Sequence, residues 1–148
     1  LIISFDIDNT LIPYSEEFSV EKVGPLWNLL KPEKLRKGCK ELFLDLQARD
    51  HKIWIYTTSF RSVLSLRKTF AAHGLYPEKF INQTINQKKL NAAKCKASKN
   101  PKLFGIDLHI DDSPGVGIEG ERLHFEVLIV DPFDVDWTEK VLAHVVEM

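Results

Sequence analysis

Five short apolar runs constrain this chain more than any other feature: LIISF (1–5), KIWIY (52–56), KFIN (79–82), DLHI (107–110) and EVLIV (126–130). They alternate with longer stretches of helical spacing, and that alternation predicts a parallel sheet wrapped by crossover helices. The expected architecture is α/β, a three-layer Rossmann-like fold with a mainly parallel five-stranded sheet and helices on both faces. Helices are predicted from about 33 to 49, striped by Leu42, Phe43 and Leu46, and from 60 to 73, capped by Ser59 and stopped at Gly74. A lysine-rich helix is expected near 87–98, and WTEKVLAHVVEM closes the chain. Residues 13–32, with Pro13, Pro25, Pro32 and the aromatics Tyr14, Phe18 and Trp27, read as an irregular excursion.

The chain has 148 residues, 44% of them hydrophobic, enough for one well-buried core and too few for two ordinary domains. No repeat or flexible linker divides it, so residues 1–148 are expected to form a single domain with 13–32 as a small flap or lid. A formal charge of -1 speaks against a dedicated nucleic-acid binder. The charge is uneven, however: residues 79–102 carry seven lysines and no acid, whereas 107–148 carry eleven acids against Arg122 and Lys140. Solvated faces of two elements account for this; a polyanion-attracting lysine face is the sharper alternative, and nothing else in the sequence calls for nucleic acid. Cys39 and Cys95 lack ligand or disulfide spacing and fit a reducing compartment. No run approaches the ~18 apolar residues needed to span a bilayer, so the expectation is a cytoplasmic protein without a membrane partner.

Ligands of open parallel sheets bind beyond the carboxyl ends of the strands. The residues in those places are polar and related: Asp6, Asp8, Asn9 and Thr10 after the first strand, Thr57, Thr58 and Ser59 after the second, Asp111, Asp112 and Ser113 after the fourth. Carboxylates brought together in this way repel one another and lose hydration unless a cation shares them. A hard divalent ion with oxygen ligands is the economical remedy, and Mg²⁺ suits a site of few carboxylates that must also meet a phosphate. Lys99, in SKNPKLFGIDLHIDD, supplies a further positive charge. Carboxylates, Mg²⁺, hydroxyls and an ammonium group together suit phosphoryl transfer.

At these residues the chain resembles the haloacid dehalogenase (HAD) superfamily of phosphohydrolases. FDIDNTL matches the first motif DxDx[TV], IWIYTTS the second, Lys99 the third in preference to Lys102, and IDDS the acidic fourth. YTTS and the lysine-to-glycine spacing of KNPKLFG are similar to the capless branch that includes C-terminal-domain-phosphatase-like and magnesium-dependent phosphatases. The resemblance implies Asp6 as nucleophile, forming an aspartyl-phosphate, and Asp8 as general acid and base. It implies that Thr57 and Lys99 bind phosphate and that Asp6, the Asp8 carbonyl and Asp111 hold Mg²⁺, with Thr10, Thr58 and Asp112 in support.

Plainer readings stand beside these. Thr58 and Ser59 suit a turn and a helix cap, His109 a satisfied core histidine, Cys95 a surface or half-buried thiol, and Trp54 and Trp137 packing. The intervals after the first and second motifs have no room for a full cap domain, so a phosphorylated substrate as large as a macromolecule can be accommodated; a lid at 13–32 would favour a small metabolite instead. The competing function classes are a receiver-like signalling domain, whose acceptor aspartate normally follows the third strand, and a catalytically silent binding protein on the same fold.

Overall fold

A computed structural model describes residues 1–148. In chain order the elements are β1 (Ile2–Phe5), α1 (Pro25–Asn28), α2 (Cys39–Ala48), β2 (Lys52–Tyr56), α3 (Val63–Ala72), β3 (Lys79–Ile81), α4 (Gln83–Ala92), a 3₁₀ turn (Pro101–Phe104), β4 (Leu108–Asp111), α5 (Pro114–Leu123), β5 (Val127–Ile129) and α6 (Trp137–Glu147). All strand pairs are parallel, in the order β3-β2-β1-β4-β5. This is a Rossmann-like α/β sheet. The chain winds outward from β1 to β3 on one side and from β4 to β5 on the other, so its topological switch point lies between β1 and β4.

The two sheet faces differ because alternate strand residues point opposite ways. Ile3, Phe5, Ile53, Ile55, Phe80, Leu108 and Ile110 join Leu42, Phe43, Leu46, Leu66, Phe70, Val141 and Val145 in one apolar cluster, which places α2, α3 and α6 on that face. Phe43 packs between Phe5 and Phe70, with ring centroids 4.8 and 6.2 Å away. Each such buried aromatic contributes about 1.5–3 kcal/mol of transfer free energy. The opposite face carries Ser4, Tyr56 and His109. There Tyr56 Oη donates to Asn86 of α4 at 2.5 Å, and its ring meets Phe104 of the 3₁₀ turn. On the same face α5 lies close enough to β5 that a Cβ on Gly120 would stand 2.7 Å from a Val127 methyl.

Several boundaries differ from the sequence expectation. The helix predicted from 33 begins only at Cys39, because Gly38 adopts φ +87 and Glu21 reaches over from the excursion to accept from the Gly38 and Lys40 amides. Ser62, not Ser59, caps α3 by accepting from the Ser65 amide at 3.1 Å, worth about 1 kcal/mol. The lysine-rich helix is shifted to 83–92: Asn82 caps it, and Lys94 turns out of helical conformation at φ +51. Helix α5 has no counterpart among the helices expected from the sequence; proline suits its first position because the amide it lacks has no helical partner. Strand β4 runs one residue further than expected, so Asp111 is its last residue.

The 13–32 excursion carries one turn of helix, α1, with no buried residue. Its return limb is held by Glu21 N to Leu35 O and Lys37 N to Ser19 O, at 2.7 and 2.8 Å. Arg36 anchors it, 1% exposed, donating to the carbonyls of Thr10, Asp131, Pro132 and Asp134, between the rings of Phe18 and Trp137. No helix is long and apolar enough to cross a membrane.

Candidate functional site

At the switch point Lys99 stands between two carboxylates from adjacent strand ends. Its Nζ lies 2.5 Å from Asp6 Oδ1 and 2.6 Å from Asp111 Oδ2, and all three side chains are almost fully buried. Local backbone geometry explains how they meet. Asp6 continues β1, its amide still donating to Ile110 O at 2.8 Å, while Asp111 closes β4. The chain then reverses tightly: Leu11 and Ile12 donate to Ile7 O, and Asn9 takes φ +62, a conformation that asparagine tolerates better than most residues. Thr10, wholly buried by this turn, donates to Asp112 Oδ1 at 3.3 Å. Ser113 N donates to Asp111 Oδ1 at 2.8 Å and fixes the second carboxylate.

Two residues below the acids on the same strand face are Ser4 and His109, paired in register. Ser4 Oγ is 2.8 Å from His109 Nδ1, and His109 Nε2 lies 3.0 Å from Asp111 Oδ2 and 3.3 Å from Lys99 Nζ. From the other side α5 clasps the segment bearing the lysine: the Glu119 carboxylate accepts from Ser98 N, Ser98 Oγ and Lys99 N at 2.7, 2.6 and 3.1 Å.

The titration behaviour follows from burial and charge. Burial pushes the Asp6 carboxyl up to about 7, and Asp111 pushes the same way, against the pull of Lys99. Burial also works to raise Asp111, but its hydrogen bond to His109 and the charge of Lys99 outweigh this and hold it well below the usual carboxylate range. Lys99 is held above its ordinary value because Asp6 and Asp111 overcome the burial that opposes its charge. Burial, then Lys99, lower His109, which is therefore neutral near pH 7. Asp112 is raised by burial and by Asp111.

Asp8 points elsewhere. Both its oxygens accept from Arg61 Nη1, at 2.9 and 3.1 Å, and Arg61 Nε and Nη2 bind Glu33 at 2.8–3.0 Å. Thr57 is buried at the end of β2, its Oγ1 accepting from Ser59 N at 3.1 Å, while Thr58 is exposed. The structure thus brings Asp6, Lys99, Asp111, Asp112 and Thr10 into one cluster and pairs Asp8 with Arg61 instead. Lys102 is exposed and has no part in it. His109 is a satisfied core histidine, as read from the sequence, and touches the cluster as well. Its spacing of two from Asp111 on a strand was the available signal; Arg61, Glu33 and Glu119 carried none.

Oxygens of Asp6, Asp111 and Asp112 lie within 4.8 Å of one another, an all-oxygen donor set of the kind a hard divalent cation takes. Lys99 engages one oxygen each of Asp6 and Asp111, and the second Asp111 oxygen accepts from Ser113 N. A cleft of about 790 Å³ bordered by Phe18, Arg36, Asp134 and Trp137 lies apart from this cluster, none of whose residues line it.

The fold and the cluster together define an α/β domain with a lysine-bridged acidic centre at its switch point. No protein-family model matches the sequence, and no curated protein matches it. Among solved structures the chain is similar to a predicted HAD-like family hydrolase from Porphyromonas gingivalis, at 14% identity and a TM-score of 0.48, over 99% of this chain and 97% of that one.

Proposed function

We propose that this protein is a magnesium-dependent phosphatase of the HAD type that hydrolyses phosphomonoesters through Asp6. The observation that carries the reading is the Lys99 bridge. Two buried carboxylates, 105 residues apart in sequence, converge on one ammonium group at the crevice where doubly wound sheets bind ligands, with a third carboxylate beside them. A purely structural ion pair needs one acid, not three.

Asp6, Asp111 and Asp112, with the Asp8 carbonyl, would hold Mg²⁺, which when bound supplies positive charge to the phosphate oxygens and the carboxylates. In this reading Asp6 attacks phosphorus in line, and the P–O ester bond breaks as the acyl phosphate forms. Asp8 gives a proton to the departing alcohol and then takes one from the water that attacks the acyl phosphate, releasing inorganic phosphate and restoring Asp6. Lys99 balances charge on the nucleophile, and Thr57 donates to a phosphoryl oxygen. Glu119 and His109 act through Lys99 and Asp111 by fixing where they stand.

Hydrolysis of p-nitrophenyl phosphate with and without Mg²⁺ tests this. Turnover is expected in the wild type with the ion and is expected to vanish in Asp6→Asn. Persistence of turnover in that variant would remove Asp6 as nucleophile, and its absence from the wild type would favour a receiver-like or silent binding protein.

A further inference from the structure

The Arg61 guanidinium is bound unequally by its two acids. Glu33 takes the side edge, Nε and Nη2, with contacts of 2.8–3.0 Å, whereas the end edge has Asp8 as its partner, through Nη1 alone. Glu33 is itself tied down, its carbonyl 2.9 Å from His73 Nε2, and Asn82 Nδ2 donates to the Arg61 carbonyl at 3.0 Å. The base and one edge of the side chain are therefore fixed while the other edge remains partly open, the side chains of Arg61 and Asp8 being 25% and 24% exposed.

On the phosphatase reading, on which this inference rests, Asp8 faces the departing alcohol. Nη1 spans both of its oxygens and holds the carboxylate toward Arg61, so turning Asp8 onto that alcohol separates the pair. Separation leaves a charged, planar edge beside the leaving group, still anchored through Glu33. Such an edge binds a carboxylate with both nitrogens, a geometry lysine cannot reproduce.

We infer that Arg61 is a specificity-determining residue and that the preferred substrates are phosphomonoesters whose alcohol carries a carboxylate close to the ester oxygen. The substrate carboxylate replaces Asp8 on the end edge of Arg61, so binding the correct alcohol is coupled to releasing Asp8 for proton transfer.

Glycerol 3-phosphate and 3-phosphoglycerate, which differ by a hydroxymethyl against a carboxylate, provide the test. Wild type is expected to favour 3-phosphoglycerate in kcat/KM by roughly 10- to 100-fold, the range for a charged hydrogen-bonded pair. Arg61→Gln should bring the ratio near one, and Arg61→Lys, which keeps the charge without the fork, should retain a few-fold preference. Equal kcat/KM for the two substrates in wild type, alongside hydrolysis of p-nitrophenyl phosphate, would overturn the role of Arg61 and leave the phosphatase reading standing. An undiminished preference in Arg61→Gln would do the same. Failure to hydrolyse any of the three esters would overturn both.

Discussion

Ser4 Oγ sits 2.8 Å from His109 Nδ1, across the join between β1 and β4 and beneath the carboxylates that end those strands. Both groups are fully buried, and the other ring nitrogen of the imidazole donates to Asp111. Ser4→Ala should cost about 1 kcal/mol, and His109→Ala about 2–4 kcal/mol, since it also opens a cavity and unpairs the serine. A double-mutant cycle followed by urea denaturation should return a coupling of roughly 0.5–1.5 kcal/mol. Strict additivity would mean that the pair contributes nothing as a pair.

Lys99→Met leaves Asp6 and Asp111 buried side by side without their cation. Removing one partner from a buried charge cluster costs about 3–5 kcal/mol, so the variant should melt well below wild type in EDTA. If the acids hold an ion, millimolar Mg²⁺ should recover part of that loss, and more than it adds to wild type. Thermal melts of both proteins with and without the ion measure this directly.

Asp6→Asn should stabilise the metal-free protein at pH 8 and have progressively less effect toward pH 4. The unfolded carboxyl ionises near 3.8 and the folded one near 7, so between these values the folded state holds the extra proton. Stability contributed by this group is then complete in acid and falls as pH rises through the folded pKa. Asparagine cannot ionise and removes that slope. Melting midpoints in EDTA from pH 4 to 8 should therefore converge in acid; a wild type more stable than the variant at pH 8 would contradict the assignment.

Two glycine substitutions should separate cleanly. A methyl on Gly120 meets the Val127 side chain at 2.7 Å and the Phe125 carbonyl at 3.1 Å, so Gly120→Ala should force α5 off β5 at about 1–3 kcal/mol. Gly24→Ala, with nothing within 4 Å, should change stability by less than about 0.5 kcal/mol. Chemical denaturation of the two variants makes the comparison.

Arg36→Lys should behave almost as badly as Arg36→Met. The guanidinium satisfies four carbonyls from two loops and lies between two aromatic rings, and an ammonium on a narrower stem cannot cover that spread. A loss of about 2–4 kcal/mol is expected for each. Because one of those carbonyls belongs to Thr10, which bonds Asp112, both variants should also weaken Mg²⁺ binding if the acidic cluster holds that ion, readable by calorimetry.

What the sequence made legible was whatever depended on local pattern. Strands β1, β2 and β5 were visible as mainly apolar runs and β3 and β4 as shorter ones carrying polar residues, and the strand-end rule then gathered Asp6 and Asp111 without any knowledge of sheet order. Features settled by distant chain were hidden. Glu21 delays the start of α2 from eighteen residues upstream of it, and Glu33 and Arg61 meet across 28 residues. Helix α5, with three glycines in PGVGIEGERL, is poor by propensity, and two of them, Gly117 and Gly120, let it lie against Ile129 and Val127. The DxD spacing places two acids near one another but does not reveal that one faces Lys99 and the other Arg61.

Strand β1 has hydrogen-bonded neighbours on both sides, and of the five strands it is the first to be translated. Its β2 side can be completed early, but Ser4 must await His109, 105 residues later, and Asp6 must await Lys99, 93 residues later. A nascent chain held on the ribosome before β4 emerges would thus expose one flank of its central strand, along with an acid still lacking its cation. Assembly of the sheet is forced toward the end of synthesis, and the acidic cluster cannot form ahead of the fold that houses it.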